Sequence, residues 1–65
     1  MIVVVNANEV EVDGPTTVAG LLESLGFPEQ GIAVAMDDAV LPRSSWTTKL
    51  FDGARLEVVT AVQGG

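Results

Sequence analysis

The ten residues Thr17–Gly26, TVAGLLESLG, decide how the rest of the chain reads. Val18, Leu21, Leu22 and Leu25 fall at i, i+3, i+4 and i+7, the spacing that lines up one face of a helix. Thr17 is placed to cap its N-terminus, Gly26 to end it in a left-handed conformation, and Pro28 follows soon after. Gly20 stands where a capping box would carry Glu, which weakens the helix start. A helix of about eight or nine residues is marginal in isolation, so it must lean on a sheet.

Upstream, the β-branched run IVVV (Ile2 to Val5), the turn chemistry of NAN (Asn6 to Asn8) and the alternation of EVEVD (Glu9 to Asp13) predict a β-hairpin. Val10 and Val12 then face the core and Glu9 and Glu11 face water, whereas the first strand is apolar at every position, as in a central strand. Downstream, GIAVAM (Gly31 to Met36) and AVLP (Ala39 to Pro42) read as two strands around Asp37 and Asp38, with Pro42 marking an edge or strand end. The connection Arg43 to Ala54 holds a short helical turn and then the Asp52–Gly53 turn. The last strand runs from Arg55 to Val62, again apolar on both faces towards its end. The order β, β, α, β, β, β lets one helix cover one face of a small mixed sheet, an α+β arrangement of the β-grasp kind. Residues 1–65 read as a single domain with a flexible tail at 63–65.

The 65 residues include no cysteine and no histidine, which removes disulfides, thiolate nucleophiles and the commonest zinc ligands. A chain this short leaves little room for a large cofactor cavity. Nine acidic against three basic residues give a net charge of −6, which repels nucleic acid and anionic lipid and points to protein partners with basic surfaces. No apolar run has the length of a membrane span and no basic segment precedes MIVVVN, so the expected location is the cytoplasm. Asp37 and Asp38 are turn residues, too few in oxygens for a hard metal, and no metal site is expected. Trp46 and Arg43 lack the further basic residues of a nucleic-acid surface. Trp46 is assigned to packing the long connection over the core.

The chain ends on TAVQGG. At ordinary glycine usage a terminal pair arises by chance in roughly one chain in two hundred. Lacking Cβ atoms, Gly64 and Gly65 can thread a narrow channel, and Val62 and Gln63 lead into it. The α-carboxylate of Gly65 is ionised at neutral pH and is a nucleophile towards the α-phosphate of ATP. Ordering such a tail costs about 1 to 2 kcal/mol per residue, so the folded body must dock as well. Val59, Ala61 and the outward members of the first strand supply the apolar surface. Val3 and Val5 are the candidates there, although periodicity does not settle which way an all-apolar strand faces.

Together TVAGLLESLG, AVAMDDAVLPRSSW, LFDGARLEVV and the terminal VQGG resemble the ThiS family over the whole length. The resemblance implies a ubiquitin-like β-grasp that is a carrier and not an enzyme. It implies that the Gly65 carboxylate is adenylated by an E1-like enzyme (ThiF-like), which uses ATP, and is converted to a thiocarboxylate. The sulfur would come from a donor such as a cysteine desulfurase and be delivered to thiazole synthase (ThiG-like) for thiazole formation in thiamine biosynthesis. It also implies a monomer with no permanently bound cofactor. Ubiquitin-like modifiers and the molybdopterin synthase small subunit use the same terminal glycine and stand as alternatives. This sequence departs from the family at Gly20 and at Ala54, where relatives often carry acidic residues.

Overall fold

The computed structural model describes residues 1–28 and 30–60. Its elements are β1 (Ile2–Val5), β2 (Asn8–Glu11), α1 (Val18–Ser24), β3 (Ile32–Met36), β4 (Ala39–Leu41), a 3₁₀ turn (Arg43–Ser45) and β5 (Arg55–Thr60). The five strands form one sheet in the order β2-β1-β5-β3-β4. β5 lies at the centre, parallel to β1 and antiparallel to β3, with the hairpins β1–β2 and β3–β4 on either side. The two strands with apolar residues on both faces are therefore interior ones, and β4, which ends just before Pro42, is an edge.

Helix α1 starts as its sequence requires. The Thr17 hydroxyl accepts a hydrogen bond from the Gly20 amide at 3.1 Å. The next two orphan donors find carbonyls on the connection: Val18 donates to Thr48 at 3.0 Å and Ala19 to Trp46 at 2.9 Å. At the other end Gly26 adopts a φ of 84°, Phe27 N–H donates to the Leu22 carbonyl and Gly26 N–H to that of Glu23, a Schellman closure.

The core lies between α1 and one face of the sheet. Val18, Leu21 and Leu22 from the helix meet Val3, Val5, Val34, Leu56 and Val58 from the strands, and Trp46, Leu50 and Ala54 close the side. Trp46 is buried as expected, its indole N–H donating to the Leu41 carbonyl at 3.2 Å. Ala54 is fully buried, so a small apolar side chain occupies the core at this position. An ionised carboxylate confined there would carry a desolvation cost that alanine avoids.

Two boundaries, both of the second strand, differ from the sequence reading. The first hairpin turns on two residues, Asn6 and Ala7, not three, and β2 accordingly starts at Asn8. β2 ends at Glu11, although Val12 still donates to the Met1 carbonyl at 2.9 Å. For β5, the stretch beyond Thr60 lies outside the described residues.

Candidate functional site

Helix α1 leaves the opposite face of the sheet uncovered, and the strand registers fix which residues occupy it. In β5, Leu56 and Val58 point to the core, so Arg55, Glu57 and Val59 point away. Register carries this across the sheet: Val4 lies beside Arg55 and Glu9, Ala35 beside Glu57 and Val40, and Ala33 beside Val59. Val59, 62% exposed, and Val40, 81% exposed, are the largest uncovered apolar side chains of this face. The face is thus an apolar band of Val4, Ala33, Ala35, Val40 and Val59 with charged residues set into it.

Val59, a candidate of the sequence reading, is exposed on this face. Val3 and Val5 are not: they are 0% and 5% exposed and belong to the core. The correction has a simple cause. The pairing of Val5 with Leu56, a core residue, turns the odd members of β1 inward and leaves Ile2 and Val4 outward. The cross-strand neighbour Glu9 marks Val4 as outward-facing, a signal that β1 alone does not contain. Ala61, Val62, Gln63, Gly64 and Gly65 lie outside the described residues.

Among the described residues no group of three or more acidic, histidine or cysteine side chains could hold a metal ion. Asp37 is engaged in its turn, its carboxylate accepting from the Arg55 amide at 3.2 Å. The start of α1 is filled by its own chain, through Thr17, Thr48 and Trp46, and so offers no free amides to an anion. A cleft of about 220 Å³ between α1 and the 3₁₀ turn is lined by Leu22, Phe27, Pro28, Arg43 and Trp46. The Arg43 guanidinium lies over the Trp46 ring there, 5.4 Å from its centroid. Glu23 and Arg43 are its charged lining residues.

The last described strand, β5, thus lies at the centre of a sheet with one face covered by α1 and one bare. The ThiS family profile matches residues 3–65. The chain belongs to the ThiS family. The crystal structure of the thiamine biosynthesis protein ThiS from Geobacter metallireducens superposes with a TM-score of 0.81 at 29% identity, covering 100% of both chains. The solution structure of a thiamine biosynthesis protein from the same organism gives 0.77 at 29% identity, covering 100% of this chain and 88% of that one. A comparison with curated proteins returned no match. Membership in the ThiS family implies a sulfur carrier of thiamine biosynthesis, and the mixed five-stranded sheet with one helix is the β-grasp of its relatives. No helix among the described residues is long and apolar enough to cross a membrane.

Proposed function

We propose that this ThiS-family chain carries sulfur on the main-chain carboxyl of Gly65. The observation that carries the proposal is the family match itself, which runs through Gln63, Gly64 and Gly65 to the last residue. One carboxylate oxygen attacks the α-phosphorus of ATP in the active site of an E1-like adenylating enzyme (ThiF-like), and pyrophosphate leaves. The outer sulfur of a persulfide, loaded by a donor such as a cysteine desulfurase, then attacks the acyl carbon and displaces AMP. A second thiol cleaves the resulting acyl disulfide and is itself left in a disulfide. The product is a thiocarboxylate, which a ThiG-like thiazole synthase consumes.

The carrier's own contribution is delivery. Thr60 is held in the sheet by its pairing with Ile32, and five residues beyond it reach at most about 18 Å. A partner must therefore bring its reactive centre within that distance of the sheet's end, which requires a docked body as well as a threaded tail. We assign docking to the bare face, with Val59 and Val4 at its middle, and threading to Val62, Gln63 and Gly64. Residues 1–65 act as one domain in this reading, cytoplasmic and monomeric when free, with ATP bound by the partner and no cofactor of its own.

Intact-mass analysis after incubation with ATP, the adenylating enzyme and a sulfur source tests the proposal. One oxygen should be exchanged for sulfur, and appending a residue after Gly65 should abolish the exchange. Higher-mass conjugates that an isopeptidase removes would point instead to a protein modifier.

A further inference from the structure

The bare face carries four charged side chains. Glu9, Glu11 and Glu57 are acidic, and Arg55 is the single Lys or Arg on that face among the described residues. Arg43 lies over Trp46 on the helix side, and Lys49 bridges to Thr17 at the start of α1. The Arg55 side chain is exposed and makes no ion pair with the described residues, although acidic residues outnumber basic ones nine to three. Arg55 thus sits off-centre on the face, with Val4 beside it, Glu57 two residues along β5, and Glu9 and Glu11 on the edge strand β2. It gives a docking partner something to read besides hydrophobic area.

We propose that Arg55 fixes the orientation in which the adenylating enzyme docks, by meeting a carboxylate on that enzyme's otherwise basic or apolar contact surface. The inference rests on the carrier reading above. Its geometry is specific: Arg55 and Thr60 are the two ends of β5 as described, so the carboxylate lies about 17 Å along the strand direction from Thr60, the last described residue. Apolar contact alone would tolerate a rotated complex that aims the terminus away from the ATP site. A charge pair at the far end of β5 selects the productive orientation, because placing Arg55 opposite a basic residue is repulsive.

Two charge reversals separate this local role from the long-range field. Arg55→Glu and Lys49→Glu each make the chain more acidic by the same amount, but only the first alters the bare face. Association and dissociation rates with the adenylating enzyme would be measured for both, and for Arg55→Gln, at low and at physiological salt. The expected result is that Arg55→Glu binds about tenfold more weakly than Lys49→Glu, with Arg55→Gln between wild type and Arg55→Glu. Equal effects of the two reversals, or tighter binding by Arg55→Glu, would overturn the role of Arg55. Circular dichroism establishes that each variant is folded, and Arg55→Gln serves if the reversal is not. Thiocarboxylate formation at saturating enzyme is the separate readout: if wild type forms a complex but no thiocarboxylate, the carrier reading falls while the docking result stands. If wild type forms no complex, both fall.

Discussion

The two hairpin turns have nearly the same backbone and do different work. Asn6 and Ala7 have φ of 49° and 69°, and Asp37 and Asp38 have 50° and 70°, the pair of positive angles that a two-residue turn between twisted strands requires. Each turn lies beside β5, and the first residue of each reaches its backbone. Asn6 does so twice, accepting from the Val58 amide at 2.8 Å and donating to the Val58 carbonyl at 3.2 Å. Asp37 accepts once, from the Arg55 amide at 3.2 Å. The difference follows from chemistry: an amide has a donor and an acceptor, and an ionised carboxylate only accepts. Where β1 turns away into its hairpin, the Asn6 side chain continues the ladder as one more rung, holding β5 within two residues of its last described position.

The largest effect should therefore come from Asn6→Ala. Two hydrogen bonds to β5 are lost, and alanine is placed in a left-handed conformation that asparagine tolerates better, together costing about 3 kcal/mol. For a domain of this size that lowers the melting temperature by roughly 12 °C or more, read by thermal denaturation. Asn6→Asp keeps the turn but presents an acceptor to the Val58 carbonyl. It should destabilise at neutral pH and recover part of the loss on acidification, when the new carboxyl can donate. A variant as stable as wild type at neutral pH would show that the Asn6–Val58 bonds contribute little.

Asp37→Ala removes one longer, exposed hydrogen bond and imposes the same conformational cost, so about 1.5 kcal/mol is expected by urea denaturation. The gap between the two alanine variants measures the extra rung. It should also appear locally, as faster hydrogen exchange at the Val58 amide in Asn6→Ala than in Asp37→Ala.

Much of this arrangement was legible in the residues before any coordinates. Thr17 and Gly26 bounded the helix because capping chemistry leaves few alternatives, and the alternation of Glu9, Val10, Glu11 and Val12 oriented β2. β1 could be recognised as interior but not oriented, since four apolar residues in a row contain no period, and Val3 and Val5 were accordingly assigned to the wrong face. The role of Asn6 was hidden for a different reason: asparagine is expected in a turn whether or not its amide bonds to a strand 52 residues away. The lacing of α1 by Thr48 and Trp46 uses main-chain carbonyls, which every residue type supplies alike. At the candidate site the opposite held: the terminal glycines stood out by composition, while the uncovered apolar face emerged only once register had joined strands distant in sequence.

The smallest effect concerns the second residue of each turn, where the two hairpins differ in another way. Ala7, with φ of 69°, has no side-chain polar group to offset the left-handed conformation, whereas Asp38, at 70°, belongs to a residue type that enters this region more readily. Glycine relieves about 1 to 2 kcal/mol of strain at Ala7 and returns up to about 1 kcal/mol as added freedom of the unfolded chain. Ala7→Gly should therefore stabilise by about 0.5 to 1 kcal/mol. Asp38→Gly starts from less strain and meets the same entropic loss, so its change should be within a few tenths of zero. Both positions are exposed, which keeps packing out of the comparison. If the two substitutions shifted the urea midpoint equally, residue-specific tolerance of the left-handed region would not distinguish the turns, and the strain assigned to Ala7 would have to be withdrawn.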